Sequence, residues 1–349
     1  MRSAVAVLVA WSLGAAPAAE RLFGPETKTG KYKHPACITE LSNGDLYVVY
    51  YGGDGEYALD TGVFGSRRRK GESRWSEPKL IASDPLRSVG NAVVWEAPDR
   101  TVWLFYVVRY GRTWSTSRIQ AKLSRDGAQT WSDSFVVTNR EGTMVRNKPV
   151  VLSTGEYLLP VYHETGQDTE VVGADSTSRF LVFDADSRTW VERGIIKSTK
   201  GNVQPGVVEV SKDHLIAYCR RGGGYGKVSD GWAVRSESRD GGRTWTEGVD
   251  SSFKNPNSAL ELLKLANGHL LIIFNDSMYA RTPLVAALST DGDRTWPHRR
   301  VIGAAPKQSY AYPSAAQGRD GRIHVVWTGD NRAAIYYTSF EESWLTQAE

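Results

Sequence analysis

Arginines, histidines, tyrosines and carboxylates in this chain of 349 residues recur at the ends of short apolar runs. His34, Asn91, Arg146 with Asn147, Gln204, Asn257 and Tyr312 each open such a run, and Tyr50, Arg109, His163 with Glu164, Arg220 and Asn275 each close the run that follows. Glu56, Asp60 and Arg281 stand just before a third. These residue types suit one chemistry in particular. A guanidinium is a planar fork that meets a carboxylate with two parallel hydrogen bonds, each worth about 1.5–3 kcal/mol. An imidazole such as that of His34 titrates near neutrality and suits proton transfer. Gathered in one place, such groups are too costly to leave dry and unpaired, so they read as a site for a polar, anionic ligand. Against this stands a plainer reading, in which Arg220 and Arg281 pair with strand-end carboxylates, His163 pairs with Glu164, and Tyr312 and His34 are packed core residues.

What would gather them is a repeat. Ser124-Arg-Asp126-Gly127-Ala-Gln-Thr130-Trp131, Ser238-Arg-Asp240-Gly241-Gly242-Arg-Thr244-Trp245 and Ser289-Thr-Asp291-Gly292-Asp-Arg-Thr295-Trp296 are nearly the same phrase, with weaker echoes ending at Trp75 and Trp190. Asp and Ser side chains bond nearby backbone N–H groups, Gly supplies positive φ, and the Trp offers an apolar plate that pins the turn to the sheet. The Trp residues fall 51 to 59 residues apart, a period that suits four-stranded propeller blades with moderately long loops. Ahead of each such turn lies a hairpin signal, for example His34 to Leu41, then Asn43-Gly44, then Leu46 to Tyr50. Six of these hairpins predict an all-β, six-bladed β-propeller of four-stranded antiparallel blades over residues 20–349. The sixth has no Trp turn after it, so its outer strand is expected to come from Arg21 to Phe23. In a hairpin the start of the first strand and the end of the second share an edge. The edge residues named above therefore meet at one mouth of the axial channel.

Composition narrows the function classes. Arg2, the apolar run Ala4 to Leu13 and the small-residue pattern Ala16-Pro17-Ala18 read as an export signal over residues 1–19, too short to span a bilayer. The expectation is a secreted or periplasmic monomer without membrane insertion. With 43 basic and 39 acidic residues the net charge is +4, far from the basic face of a nucleic-acid binder. The run Arg67-Arg68-Arg69-Lys70 is expected to be a solvated loop. Cys37 and Cys219 fall in inner strands of different blades and are expected to be separate buried thiols. No His/Cys spacing matches zinc and the repeated Asp residues sit in turns, so neither a metal nor a cofactor is expected.

With the Asp-box turns, the six hairpins and the edge phrases Arg146-Asn147-Lys148-Pro149, Gln204-Pro205, Asn255-Pro256-Asn257-Ser258-Ala259 and Tyr312-Pro313 placed, residues 30–340 resemble the sialidase (neuraminidase) superfamily, the bacterial proteins with Asp-box repeats. That resemblance implies a clamp of three arginines on a substrate carboxylate, a tyrosine nucleophile paired with a glutamate, and an aspartate acid/base. Matched by motif, it implies that Arg220 and Arg281 are the second and third arginines, that Tyr312 is the nucleophile, and that Asp60, with Glu56 as rival, is the acid/base. Two positions depart: Lys33-His34-Pro35 stands where the first arginine's phrase is expected, and Gln204 takes the glutamate's place. Lys33, Arg146, Asn257 and His163 complete the expected substrate contacts.

The resemblance implies an exo-glycosidase acting on a terminal acidic sugar. The departures at Lys33-His34 and Gln204 keep two alternatives open: a uronate lyase in which a His/Tyr pair moves the C5 proton, and a glycan-binding propeller without turnover.

Overall fold

The computed structural model describes residues 16–166 and 171–347. Residues 1–15, which carry most of the expected export signal, lie outside them. Six antiparallel sheets follow one another around a ring. The first blade is Tyr32–Glu40, Leu46–Gly53, Gly62–Arg68 and Lys79–Ser83; the second is Val89–Glu96, Val102–Arg109, Ser117–Ser124 and Phe135–Thr138. The fourth is Asn202–Ser211, His214–Arg221, Trp232–Ser238 and Val249–Lys254, and the fifth is Glu261–Lys264, Leu270–Asn275, Leu284–Ser289 and His298–Gly303. The sixth runs Ala311–Gln317, Ile323–Gly329 and Ala334–Phe340, and its outer strand is Glu20–Phe23 from the other end of the chain, as expected. Joining first and last segments in one sheet closes the ring without an unpaired edge between them. Helix is confined to Glu342–Thr346 and two single 3₁₀ turns among the described residues.

Blades three and five depart from simple hairpins. In blade three the inner strand is split into Thr143–Val145 and Val150–Val151, both pairing with Tyr157–His163, and Arg146 to Pro149 cross the gap unpaired. Blade three is completed by Thr177–Asp184 and Thr189–Ile196. Pro149 has no N–H to give a ladder. In blade five the ladder begins at Glu261, four residues later than the phrase opening at Asn257 suggests. The side chain of Asn255 satisfies this stretch instead, accepting from the Ser258 amide at 3.1 Å and donating to the Ser258 carbonyl at 2.8 Å.

The Asp boxes behave as turns. Asp126 accepts from the Thr130 amide at 2.9 Å and from Ser124 Oγ at 2.7 Å, and Asp240 and Asp291 repeat the pattern. Each box joins the third and fourth strands of its blade. Their Trp side chains reach further than their own sheet. Trp245 of blade four stacks on Phe180 of blade three at 4.4 Å, Trp296 of blade five lies edge-on to Phe253 of blade four at 5.3 Å, and Trp190 of blade three meets Trp103 of blade two at 5.5 Å. Trp131 meets Tyr47, and Trp75 meets Tyr337 across the ring closure. The plate therefore ties each of blades one to five to the blade before it around the ring, and the repeat period is the spacing of these ties. Cys37 and Cys219 are separate, free and buried, with burial pushing the Cys219 thiol up to about 12.

Candidate active site

The inner strands do not run smoothly to the channel mouth. Where blades two, four and six begin, the ladder slips between Gly90 and Val93, between Val203 and Gly206, and between Ala311 and Ser314. At each slip one non-glycine residue takes a left-handed backbone: Asn91 (φ 41°), Gln204 (φ 55°) and Tyr312 (φ 53°). Asn257 (φ 58°) does the same at the corresponding place in blade five. Such conformations cost about 1–3 kcal/mol each and persist where surrounding structure enforces them. A bulge re-aims a side chain. Here three bulges, and the left-handed Asn257 ahead of the blade-five ladder, turn residues of four blades toward the hub.

Arg220, at the end of the second strand of blade four, sits in the middle. Its Nη1 donates to the Tyr312 phenol oxygen at 2.6 Å and to Gln204 Oε1 at 3.3 Å, its Nε donates to Asn257 Oδ1 at 2.6 Å, and its Nη2 donates to the Tyr225 hydroxyl at 3.1 Å. Asn257 is itself held by donating to the Gly223 carbonyl at 2.6 Å. Gln204 Nε2 donates to both Tyr312 and Tyr162 at 3.3 Å. The Arg281 guanidinium lies over the Tyr312 ring at 5.1 Å and over Tyr225 at 5.4 Å. Neither Arg220 nor Arg281 has a carboxylate within ion-pair distance among the described residues.

Tyr312 is thus a phenol whose oxygen accepts two hydrogen bonds and donates to no described group. Burial alone would push its pKa up, but the Arg220 and Arg281 charges, the Gln204 hydrogen bond and Arg332 outweigh it and bring the phenol below its ordinary value of 10.0. His34 lies edge-on to Tyr312 with ring centroids 4.4 Å apart, and its Nδ1 is 3.1 Å from Thr328 Oγ1. Burial, then the charges of Arg332, Arg281, Arg146 and Arg220, hold His34 well below the ordinary imidazole range, so it is neutral at pH 7. Arg146 packs behind the same ring and donates Nη2 to the carbonyls of Tyr312 at 2.8 Å and Pro313 at 2.9 Å, so it holds the strand under the phenol.

The structure leaves three of the expected residues outside this group. Lys33 is buried with Nζ donating to the Gly30 carbonyl at 2.6 Å, because its neighbour His34 takes the inward direction and strand alternation sends Lys33 the other way. Asp60 accepts both carboxylate bonds from the Asp54 amide at 3.1 and 3.2 Å and closes its own loop. His163 also alternates away from the cavity, and Glu164 faces it. Glu56 does line the cavity, where its carboxylate accepts from Tyr32 Oη at 2.9 Å and from Arg332 Nη1.

Arg332 is a cavity residue that the sequence did not place, and Glu164 was placed at the mouth beside His163 without a role of its own. Arg332 ends a turn of three consecutive left-handed residues, Asp330 (φ 49°), Asn331 (φ 50°) and Arg332 (φ 70°), between the second and third strands of blade six. That position matches Arg281 in blade five, so the signal lay in the repeat. Burial pulls Arg332 down, but the neighbouring Glu56 carboxylate outweighs it and keeps the guanidinium above its ordinary value. Burial raises Glu164 to about 7 against the opposing pull of Arg220. Its carboxyl is therefore partly protonated near neutrality, as a general acid requires.

The fold is thus a six-bladed propeller of Asp-box blades whose hub gathers arginines around a tyrosine. The chain belongs to the BNR repeat-like domain family, whose model matches residues 44–325. Its fold is shared with the Hadza microbial sialidase Hz136, at TM-score 0.78 and 15% identity over 94% of this chain and 69% of that one. It is shared also with the NanB sialidase of Streptococcus pneumoniae, at 0.74 and 12% over 93% and 71%, and with the intramolecular trans-sialidase of Ruminococcus gnavus, at 0.74 and 13% over 94% and 98%. A comparison with curated proteins finds no match.

Proposed function

We propose that this propeller is an exported, monomeric exo-glycosidase that releases a terminal acidic sugar, a sialic or uronic acid, from glycans. The observation that supports it most is the gathering of Arg220, Arg281 and Arg332 around the Tyr312 phenol, with no carboxylate paired to the first two. A guanidinium cluster of this kind is balanced when an anionic ligand enters. Arg220 and Arg281 would grip the sugar carboxylate, and Arg332 would take the place that Lys33 leaves. Tyr312 would bond to the anomeric carbon as phenolate, its proton held off by the cations rather than removed by a glutamate. Gln204 would orient the phenolate through its amide N–H. Glu164 would protonate the departing glycosidic oxygen and later take a proton from water. Glu56 stays engaged by Arg332 in this reading.

The second reading is elimination from a uronate, favoured by the His34–Tyr312 contact and the amide at Gln204. Incubation of the purified protein with sialosides and uronic-acid glycans, with products resolved by mass, separates the two. The proposal expects a free acidic sugar of unaltered mass plus water, lost in Arg220→Ala. An unsaturated product absorbing in the ultraviolet would establish elimination, and tight binding without turnover would establish a glycan-binding propeller.

A further inference from the structure

The Arg220 guanidinium is not free on the side where a carboxylate would arrive. Its Nη2 edge donates to the Tyr225 hydroxyl at 3.1 Å, and the Tyr225 ring also covers Arg281 at 5.4 Å. The cavity between Tyr225, Tyr312, Glu164 and Arg332 has a volume of about 30 Å³, the space of a few waters. Small-molecule sites usually offer roughly 300–1,000 Å³. A sugar ring and Tyr225 in this position exclude one another.

Tyr225 is mounted on a hinge that lets it leave. It lies in Gly222-Gly223-Gly224-Tyr225-Gly226, between the second and third strands of blade four. The base of this tongue is fixed. A side chain on Gly222 would meet the Lys200 carbonyl at 1.8 Å, and Gly223 exchanges backbone bonds with Val172 and accepts from Asn257 at 2.6 Å. Beyond Gly223 one long hydrogen bond, from Arg221 Nη2 to the Gly224 carbonyl at 3.4 Å, holds the backbone, and there is room around the glycines. A Cβ on Gly224 would touch only Val171, at 3.9 Å, and one on Gly226 would meet nothing within 4 Å. Tyr225 itself is 38% exposed. An anchored glycine followed by unpacked glycines confines the φ/ψ change to the few residues around the tyrosine.

We infer that Tyr225 is a displaceable plug that determines specificity: its hydroxyl and ring occupy the Arg220–Arg281 clamp until a ligand carboxylate displaces them. The inference rests on the reading of that clamp as a carboxylate site. A ligand that presents a carboxylate offers Arg220 a charge-assisted pair in exchange for a neutral hydroxyl and so opens the site. A neutral sugar offers no such exchange, and Tyr225 stays in place. Selection for acidic ligands therefore comes from the displacement as well as from the contact.

The test measures binding of sodium acetate, N-acetylneuraminic acid, glucuronic acid and glucose to the full chain and to Tyr225→Phe, Tyr225→Ala and Arg220→Met. Acetate can use the clamp but cannot use an aromatic surface for a sugar ring. The plug predicts that Tyr225→Phe binds acetate roughly tenfold tighter than the native chain, the size of one lost competing hydrogen bond, and faster. Tyr225→Ala binds it at least as tightly, Arg220→Met loses it, and glucose binds none of the four. Acetate affinity that is unchanged or weaker in both Tyr225 variants overturns the plug, as does acetate binding to no variant. If acetate behaves as predicted while neither sugar acid binds, the plug stands and the glycosidase reading fails.

Discussion

Arg220 Nη1 and the Tyr312 phenol oxygen are 2.6 Å apart, the shorter of the two hydrogen bonds that reach that oxygen. They belong to blades four and six, and each is held there by its own constraint. Arg220 is oriented by Asn257, and Tyr312 is turned inward by a left-handed backbone. The bond stabilises phenolate over phenol, so it supplies what a basic neighbour would otherwise have to supply.

Arg220→Met should therefore raise the Tyr312 pKa toward and beyond its ordinary value, because burial then acts with less opposition. The tyrosinate absorbance of the native chain, compared with that of Tyr312→Phe, isolates this phenol. In Arg220→Met the same difference should move to higher pH. Turnover of an acidic-sugar substrate should fall by about 10²–10³-fold or more, as for loss of a preorganised charge. An unmoved phenol titration would show that Arg220 does not govern it.

Arg332→Met removes a cation from the cavity and leaves the Glu56 carboxylate with the Tyr32 hydroxyl but without its countercharge. Both members of the ion pair retain partial exposure, at 28% for Arg332 and 21% for Glu56, so the stability loss should be modest, about 1–2 kcal/mol. Glu56→Gln should cost a comparable amount, because it leaves the Arg332 guanidinium without its carboxylate. If Arg332 belongs to the clamp, Arg332→Met should weaken binding of acidic sugars far more than Glu56→Gln does, with stability measured by denaturant unfolding and affinity by calorimetry.

Trp245→Ala should cost about 3–5 kcal/mol, since it deletes a large side chain stacked at 4.4 Å on fully buried Phe180. The loss falls between blades three and four rather than within one blade. Hydrogen exchange in the variant should therefore rise on both sides of that interface, in Thr177–Asp184 and in Trp232–Ser238. Exchange confined to the Asp-box turn of blade four would contradict the inter-blade role.

Trp245 was readable from sequence because it belongs to a phrase repeated with its Ser, Asp, Gly and Thr, and repetition fixes blade number, strand order and the ring closure by residues 20–23. The guanidinium pair Arg220 and Arg281 and the phenol Tyr312 were readable for a related reason: hairpin edges place them at one mouth. What the repeat hides is direction. Whether Lys33 or His34, and His163 or Glu164, faces the hub depends on a single-residue phase of alternation. Asp60 was misplaced for another reason. Its loop closes on its own backbone, and no strand period constrains a loop. Arg332 lay in a turn where three left-handed residues, rather than a strand, determine the aim.

Glu164 gives the prediction in which site and stability are linked most directly. Its carboxyl, ordinarily at 4.5, is raised to about 7 in the folded chain. Between those two values the folded state holds a proton that the unfolded state has released, so stability falls as pH rises from about 4.5 to 7 and levels off above it. Glu164→Gln keeps the shape and removes the titration. Relative to the native chain it should gain stability with rising pH, on the order of 1–3 kcal/mol by pH 8, read from denaturant midpoints across the range. In catalysis the sign is the reverse of a benefit. The variant has no proton to give, so turnover should drop about 10²–10⁴-fold. The native rate should decline above pH 7 as Glu164 ionises, and a substrate whose leaving group needs no protonation should be spared both losses. Equal damage with both kinds of substrate would leave Glu164 as a wall residue and remove it from proton transfer.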